Sequence, residues 1–184
     1  MAKTAILIAN GCEEIEALTV VDLLRRAGIG IDMVSVTPEK KVTGSHGIRF
    51  ETDLAAGEFV PEAYDGVILP GGMPGTRYLK ESGFVTDILK SFSAQGKLTA
   101  AICAAPTVLG ACGILNGRRA VCYPSMEDGL TGAEVLYDDV VRDGNVITSR
   151  GMGTAIPFAL ELIAFFLGKE EADAMAEKIV FTSR

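Results

Sequence analysis

The chain has 184 residues, of which 48% are hydrophobic and 22% are charged, a balance typical of globular proteins and unlike that of disordered chains. Its 24 acidic and 17 basic residues give a net charge of −7, and the basic residues occur only singly or as scattered pairs. Binding to a phosphate backbone needs concentrated positive charge, so this composition argues against a nucleic-acid partner.

The predicted elements begin with an apolar strand at residues 5–9, a helix at 14–27 and a second strand at 31–36. The helix has an acidic start and a basic end, which both complement its dipole. Two segments, 41–52 and 135–148, alternate apolar and polar residues and are predicted to form exposed strands or hairpins, the second turning at Asp143-Gly144. The remaining predictions are strands at 66–69 and 98–102 and helices at 85–94, 107–112, 154–167 and 170–178.

This order of elements predicts the fold class. Continuous apolar strands that alternate with helices indicate a parallel sheet covered on both faces. We therefore expect one domain spanning residues 1–184, with an α/β fold of the doubly wound type, which places its functional site at the C-terminal edge of the strands. The most apolar stretch, 155–167, is shorter than the ~20 residues of a membrane span, so no membrane association is expected.

The four cysteines, Cys12, Cys103, Cys112 and Cys122, have neither a CxxC spacing nor a neighbouring histidine. The spacing favours neither a zinc site nor a disulfide framework, so we expect no metal and reduced thiols. Reduced thiols are typical of the cytoplasm, which is the predicted location. The sequence also lacks a GxGxxG or Walker motif, which argues against a nucleotide cofactor.

Cys103 is the best candidate for a nucleophile. It lies where a short apolar strand gives way to a helix, since Pro106 fits the first turn of a helix. A thiol at a helix N-terminus faces unpaired N–H groups and the positive end of the helix dipole, which predicts a lowered pKa. The alternative is a buried structural cysteine that packs as a small hydrophobic residue. The sequence leaves both interpretations open.

A Gly-Gly pair follows the predicted strand at 66–69 and is expected on the same edge of the sheet as Cys103. Because Gly71 and Gly72 have no Cβ atom, their N–H groups are able to approach a ligand oxygen closely. Together with the N–H of Ala104, they would form an oxyanion hole. The alternative is a plain turn after a strand.

Glu16 is the candidate carboxylate partner of Cys103. It lies one turn inside the first helix, where its side chain leans back toward the edge of the sheet. A carboxylate beside a thiolate repels it unless one group keeps a proton, so we expect the pair to titrate jointly, with Glu16 protonated and donating to sulfur. The alternative role for Glu16 is compensation of the helix dipole. Glu13 and Glu14 are expected to face solvent.

Five motifs together resemble one family. They are GCEEIEAL at 11–18, VDLLRRAGI at 21–29, LPGGMPG at 69–75, AAICAAPTVL at 100–109 and TSRGMGT at 148–154. In this order and spacing they are similar to the ThiJ/PfpI superfamily, closest to the branch of the parkinsonism-associated protein deglycase and its bacterial relatives. The resemblance covers essentially the whole chain.

This resemblance implies a flavodoxin-like homodimer in which Cys103 is the nucleophilic, oxidation-sensitive cysteine. Glu16 then corresponds to its protonated partner, and Gly72 and Ala104 correspond to the backbone oxyanion donors, with Gly71 as a possible auxiliary. The implied activity is a glyoxalase-type lyase or deglycase that acts without cofactor on a small reactive carbonyl compound or a glycated substrate. The alternative is a non-enzymatic oxidative-stress sensor or redox-regulated chaperone.

The chain departs from the family pattern near the cysteine. Many members of this branch have a His-Pro pair where this chain has Tyr123 before Pro124. A phenol, with a pKa near ~10, does not shuttle protons at neutral pH as an imidazole does, so any auxiliary role of Tyr123 must differ. Ala104 stands where the protease branch carries a histidine directly after its cysteine, which argues against peptidase activity.

The sequence leaves the roles of two further residues undecided. His46, the only histidine, lies in the polar 41–52 segment, where a surface or dimer-interface role competes with pairing to Cys103. Cys12 follows the first strand, so it is either a small packed residue or a resolving thiol near Cys103.

Overall fold

The computed structural model describes residues 2–182. Its strands are β1 (Lys3–Ile8), β2 (Gly30–Ser35), β3 (Lys41–Thr43), β4 (Arg49–Glu51), β5 (Leu54–Ala55), β6 (Gly66–Leu69), β7 (Leu98–Ile102), β8 (Arg119–Ala120), β9 (Glu134–Val135), β10 (Val140–Asp143) and β11 (Val146–Ser149). Its α-helices are α1 (Glu14–Arg26), α2 (Gly75–Glu81), α3 (Gly83–Ala94), α4 (Pro106–Ala111), α5 (Ala155–Leu167) and α6 (Lys169–Lys178).

Seven strands form the central sheet in the order β10-β11-β7-β6-β1-β2-β5. All neighbours are parallel except β10, which pairs antiparallel with β11 at one edge. Since the chain moves outward in opposite directions from β1 and β6, the topology reverses between these two strands. The fold is therefore the predicted doubly wound, flavodoxin-like α/β sandwich, and its crevice lies at the C-terminal ends of β1 and β6.

Two hydrophobic cores cover the two faces of the sheet. Alternate residues of β1 face opposite sides, so that Ala5 and Leu7 pack with α2, α3 and α4, whereas Ile6 and Ile8 pack with α1, α5 and α6. Because both faces are covered, the central strands are apolar throughout their length. This is the reason that their continuous apolar runs were sufficient to predict a buried parallel sheet.

The first helix holds its N-terminus over the crevice. Glu13 is its N-cap, and one of its carboxylate oxygens accepts a hydrogen bond from the Glu16 N–H at 2.6 Å. The acidic residues of the first turn and the basic Arg25 and Arg26 of the last turn both complement the helix dipole. The cap fixes the first turn of α1 and therefore the backbone position from which the Glu16 side chain extends.

The two alternating segments form the predicted hairpins, but one is not exposed. β3 and β4 make a separate two-stranded antiparallel sheet, as expected for an exposed hairpin. In the second hairpin β11 is fully buried in the central sheet, parallel to β7, so the prediction of exposure is wrong there. The polar Thr148 of β11 is buried because its hydroxyl accepts a hydrogen bond from the Val121 N–H at 3.0 Å.

Helix α2 was not predicted. It has only seven residues and begins with a glycine, so it shows too little periodicity to be recognised. No helix within residues 2–182 is both long and apolar enough to cross a bilayer.

Candidate active site

Cys103 occupies a sharp bend between β7 and α4. Its φ of 64° is left-handed, a conformation that is uncommon for a residue with a side chain. The backbone is held there by two hydrogen bonds, from the Cys103 N–H to the Ser149 carbonyl at 2.9 Å and from the Tyr123 N–H to the Cys103 carbonyl at 2.8 Å. Pro106 is the first residue of α4, as predicted. The bend leaves the thiol half-buried rather than enclosed.

Two backbone N–H groups reach the sulfur. They belong to Gly72 and Ala104, and both favour the ionised thiol. Gly72 has a φ of 89°, and a Cβ atom there would lie 2.2 Å from the backbone nitrogen of Glu13. The loop after β6 is therefore pressed against the N-terminus of α1, and only glycine fits this close approach.

Glu16 lies beside Cys103 and is almost completely buried. Its exposed fraction is 1%, one carboxyl oxygen (Oε2) accepts a hydrogen bond from the Gly71 N–H at 2.9 Å, and its side chain is hydrogen-bonded to Cys103. A Cβ atom on Gly71 would lie 2.6 Å from Cβ of Cys103 and 2.7 Å from Oε2 of Glu16. The structure thus brings Cys103, Glu16, Gly71, Gly72 and Ala104 together at the C-terminal edge of the sheet.

The thiol and the carboxyl group behave as a coupled pair. Burial raises the pKa of Glu16 to about 7, although the hydrogen bonds from Cys103 and Gly71 oppose this change. Burial, together with the charge of an ionised Glu16, raises the pKa of the Cys103 thiol to about 12, against the effect of the Gly72 and Ala104 N–H groups. The two groups therefore do not ionise together, and the pair holds one proton and one negative charge above neutral pH.

This result corrects the expectation that the bend alone lowers the pKa of Cys103. The helix terminus and the N–H groups do favour the thiolate, but burial and an adjacent carboxylate outweigh them whenever Glu16 is ionised. The helix α4 is also only six residues long, which limits its dipole. The thiolate is favourable only when the proton of the pair lies on Glu16.

Glu14 does not face solvent, contrary to expectation. It is 1% exposed and accepts hydrogen bonds from the His46 and Ile48 N–H groups at 2.8 and 3.4 Å, while its other oxygen lies 3.0 Å from Nδ1 of His46. Burial alone would raise the pKa of Glu14, but the hydrogen bonds from His46 and Ile48 lower it overall. The imidazole of His46 is thus engaged with α1, and its contacts within residues 2–182 do not include Cys103.

Glu13, Glu14 and His46 also form a cluster whose ligand atoms lie within 4.8 Å of one another, the spacing that a metal ion would require. The Glu14 carboxylate, however, already accepts several hydrogen bonds from the 45–48 loop. These donors satisfy its charge without a metal. The cluster is better described as the contact that fastens the β3–β4 hairpin to α1.

Tyr123 contacts the site in two ways. Its backbone N–H donates to the Cys103 carbonyl, and one edge of its ring lies near Gly151. The side chain is half exposed, and its ring lies 3.4 Å from the position that a Cβ atom of Gly151 would take. The same position is 4.0 Å from the other carboxyl oxygen of Glu16 (Oε1). Tyr123, Gly151 and Arg150 line a depression of about 340 Å³ in the surface.

Arg150 is a residue of this depression that sequence analysis missed. It follows β11 directly, and β11 is parallel to β7 with Ser149 opposite Ile102. The motif at 148–154 was recognised only as part of a family resemblance. Predicting that Arg150 lies beside the bend requires the register between β11 and β7. The sequence pattern does not give this register, because it indicates an exposed strand at β11.

Cys12 is fully buried, and its N–H and carbonyl groups are hydrogen-bonded to Ala9 and Ser45. Burial and the nearby Glu14 raise the pKa of its thiol to about 12. These surroundings fit the packed role among the two that the sequence left open. A resolving role would require an exposed, ionisable thiol.

Comparisons with known proteins place these observations in context. Residues 2–165 match the DJ-1/PfpI family. The chain is 40% identical to protein dj-1beta of Drosophila melanogaster over 183 residues, covering 98% of each chain. It is 34% identical to a glutathione-independent glyoxalase of Caenorhabditis elegans, DJR-1.2, over 181 residues and 96% of each chain. Its structure resembles that of oxidized DJ-1 from Toxoplasma gondii with a TM-score of 0.95, 37% identity and full coverage of both chains.

Proposed function

Because the chain belongs to the DJ-1/PfpI family, we propose that it is a cysteine-dependent, cofactor-free enzyme that detoxifies small reactive carbonyl compounds, as a glyoxalase or deglycase. The observation that carries this proposal is the half-buried Cys103 in its left-handed bend, hydrogen-bonded to the buried Glu16. The name of the similar C. elegans glyoxalase supports the same class of reaction.

In the proposed mechanism Cys103 is the nucleophile. Its thiolate adds to the aldehyde carbon of a 2-oxoaldehyde such as methylglyoxal, forming a C–S bond while the carbonyl electron pair moves to oxygen. Glu16 gives its proton to that oxygen, which yields a hemithioacetal. Gly72 and Ala104 N–H groups, which already reach the sulfur, stabilise the negative charge that develops beside it.

Glu16 then acts as the base. Its carboxylate removes the proton from the former aldehyde carbon and returns it to the adjacent carbon, while the hydroxyl proton of the hemithioacetal passes to the neighbouring carbonyl oxygen. The hemithioacetal thereby becomes a thioester with an adjacent hydroxyl group. Water cleaves the thioester, releasing lactate and the free thiol. The aldehyde carbon is oxidised while its neighbour is reduced, so the reaction needs no external oxidant or cofactor. A carboxyl group with a pKa of about 7 is suited to give and take a proton at neutral pH.

This mechanism uses no histidine. In this proposal Glu16 carries out both proton transfers, while Tyr123 contributes its backbone N–H to hold the bend and its ring to line the depression. Peptidase activity remains disfavoured, because it requires a base next to the nucleophile and Ala104 follows Cys103.

The test is lactate formation from methylglyoxal, followed enzymatically for the wild type, Cys103→Ser and Cys112→Ser. We expect Cys103→Ser to lose at least a hundredfold in kcat/KM, because a serine hydroxyl is a far weaker nucleophile than a thiolate at neutral pH. Cys112→Ser is the matched control, since this half-buried cysteine lies at the end of α4, away from the bend. Equal rates for wild type and Cys103→Ser would refute the proposal.

A second function, oxidation sensing, is favoured by one observation. The similar Toxoplasma gondii structure is of an oxidized DJ-1, and Cys103 here is half-buried with two N–H groups directed at its sulfur. Those donors and a protonated Glu16 would also stabilise a sulfinate at Cys103. Mild peroxide treatment followed by intact mass should add two oxygen atoms in wild type but not in Cys103→Ser. Addition of the same mass to both would reject a sensing role for this cysteine.

A further inference from the structure

Glu13 is the N-cap of α1, although glutamate is not among the residues that usually take this position. Ser, Thr, Asp and Asn are preferred there, because their short side chains reach the free N–H groups of the first turn. The sequence predicted that Glu13 faces solvent, but its side chain is only 13% exposed. A longer, charged and largely buried side chain at this position points to a role beyond capping.

Three hydrogen bonds join Glu13 to both halves of the candidate site. Oε2 of Glu13 accepts the Glu16 N–H at 2.6 Å. The Glu13 N–H donates to the Gly71 carbonyl at 2.9 Å, and the Gly71 N–H donates to Oε2 of Glu16 at 2.9 Å. These bonds close a ring through the three residues. Glu13 therefore holds the helix turn that carries the acid against the loop whose next residue, Gly72, reaches the sulfur of Cys103.

The Glu13 carboxylate also places a negative charge near Glu16. The titratable groups that face Glu16 are Cys103 from the bend, Cys12 from the loop before α1 and Glu13 from the start of its own helix. Burial is the main cause of the raised Glu16 pKa, and the charge of Glu13 raises that pKa further, since a like charge disfavours ionisation. Glu13 is itself faced by His46 of the β3–β4 hairpin, whose Nδ1 lies 3.9 Å from Oε1 of Glu13. Both thiols have raised pKa values and are mostly neutral at pH 7, so the charge that acts on Glu16 comes from Glu13.

We infer that Glu13 is a positioning residue for the proton shared by Cys103 and Glu16, because its carboxylate fixes the turn that carries Glu16 and its charge favours retention of the proton there. This role rests on the proposed function and adds to it a residue that does not touch the substrate. A proton retained on Glu16 leaves the sulfur as the ionised member of the pair, which is the arrangement that the first step of the mechanism uses. Glu13 thus increases the fraction of pairs that hold a thiolate.

The experiment measures the rate at which iodoacetamide alkylates Cys103 between about pH 5 and pH 9, read by peptide mass, because only the thiolate reacts. The sulfur attacks the reagent, forming a C–S bond and releasing iodide, so the rate follows the fraction of pairs with an ionised sulfur. In the wild type this rate should rise with pH and reach a plateau above about 7, where the pair has lost its first proton. The reagent is uncharged, so a change of charge in a variant does not alter its approach.

Glu13→Gln keeps an oxygen that is able to accept the Glu16 N–H but removes the charge. Because Glu16 then loses its proton more readily, the plateau should fall by about threefold, and the proton concentration at the midpoint of the rise should increase by the same factor. Well below the midpoint the rate should equal that of the wild type, because the earlier ionisation and the smaller thiolate fraction cancel. A rate that changes equally at every pH would indicate a displaced site and overturn the inference, as would a profile that matches the wild type.

Two further variants separate charge from geometry. Glu13→Asp keeps the charge and is a favoured N-cap, so its profile should match the wild type, and a shift as large as that of Glu13→Gln would contradict the inference. Glu58→Gln is the matched control. Like Glu13, Glu58 accepts a backbone N–H from a residue three positions away, that of Ala55 at 2.7 Å, but it lies next to β5 at the far edge of the sheet. Its profile should also match the wild type, and a shift there would show a general effect of net charge and reject the role of Glu13.

The alkylation rates need only a reactive thiol and no turnover. Cys112, a half-buried thiol at the end of α4, is read in the same samples and should show one profile in all variants. A wild type that forms no lactate would refute the proposed function, while the alkylation profiles would still decide the role of Glu13.

Discussion

At the scale of single residues, the proton shared by Cys103 and Glu16 determines the reactivity of the site. Three donors are available to the sulfur when Glu16 is protonated, namely the carboxyl O–H and the Gly72 and Ala104 N–H groups. When Glu16 is ionised, one of these donors becomes a repelling charge. The proposed mechanism depends on the first arrangement, so the role of Glu16 as donor is open to a direct test.

Glu16→Leu removes the donor without introducing a charge. Because an ionised Glu16 raises the pKa of Cys103 through its charge and its hydrogen bond, this variant should lower that pKa below the wild-type value of about 12. The thiolate absorbance near 240 nm, followed against pH and corrected with Cys103→Ser, measures the change. A raised pKa would instead mean that Glu16 keeps its proton and donates it to the thiolate throughout the titration.

The same variant has a built-in control for folding. Since burial raises the pKa of Glu16 to about 7, folding keeps this group protonated at pH values where the unfolded chain ionises it, which costs stability as pH rises above about 4.5. Leucine has no such cost, so Glu16→Leu should melt at or above the wild-type temperature at pH 7. A loss of activity would then not be explained by unfolding.

Gly71 should tolerate no side chain. In Gly71→Ala the new Cβ atom would lie 2.6 Å from Cβ of Cys103 and 3.0 Å from the Ile102 carbonyl oxygen, which is backbone and does not move easily. We expect about 1–3 kcal/mol of destabilisation and at least a tenfold loss of activity from the displaced thiol. Gly83→Ala is the control, because a Cβ atom there meets nothing within 4 Å. Equal melting temperatures and rates for the two variants would contradict this packing.

The sequence predicted some of these residues and not others, for a physical reason. Cys103, Glu16, Gly71 and Gly72 lie at the ends of strands or in the first turn of a helix, and local patterns identify such positions. The burial of Glu14 depends on donors from the 45–48 loop, which are distant in sequence. The raised pKa of Cys103 likewise depends on burial, which local sequence does not report.

At the scale of elements, the β3–β4 hairpin is fastened to α1 by the pair of Glu14 and His46. The imidazole is exposed, whereas the carboxylate is buried. The hydrogen bond and the charge of Glu14 raise the pKa of His46. This ion pair joins the hairpin to the same helix turn that carries Glu16.

The stabilisation from this pair should depend on pH. A raised His46 pKa stabilises the fold fully below the unfolded value near ~6.5 and loses its effect as pH rises through the folded value. The lowered pKa of Glu14 stabilises the fold above ~4.5 and is lost as pH falls further. The contribution is therefore largest at pH 5–6. His46→Asn should lower the melting temperature more at pH 5.5 than at pH 8.5, and an equal decrease at both would contradict the ion pair.

Elements were predictable where their pattern was long or continuous. β6 and β7 have the predicted bounds, and α1, α3, α5 and α6 begin and end within two residues of prediction. The prediction that β11 is exposed was wrong. Its alternation of apolar and polar residues normally indicates one exposed face, whereas Thr148 and Ser149 are buried with their hydroxyls hydrogen-bonded. Such tertiary hydrogen bonds do not affect the local pattern.

At the scale of the whole molecule, we propose that the chain forms a homodimer through the surface next to the site. Ile15 and Ile48 are 47% and 51% exposed, and both adjoin Glu14, since Ile15 follows it in α1 and the Ile48 N–H donates to its carboxylate. Exposed aliphatic residues at the start of α1 and on the adjoining hairpin are typical of an interface.

Sedimentation equilibrium should give twice the chain mass of 19.4 kDa. Ile48→Glu should shift the equilibrium toward monomer, because a charge buried without a partner opposes association. Val60→Glu, at a residue 58% exposed and far along the chain, should remain dimeric. A wild type that sediments as a monomer, or two variants that behave alike, would contradict this surface.

The two hydrogen bonds that hold Cys103 in its bend also have a consequence for biosynthesis. Their partners, Tyr123 and Ser149, are both translated after the cysteine. A nascent polypeptide whose β11 is still inside the ribosome has no means of holding the bend, and its cysteine has the thiol pKa of ~8.5 found in any unstructured peptide. The raised pKa of this thiol and its pairing with Glu16 are therefore acquired only late in synthesis, and stalled or prematurely terminated products lack them.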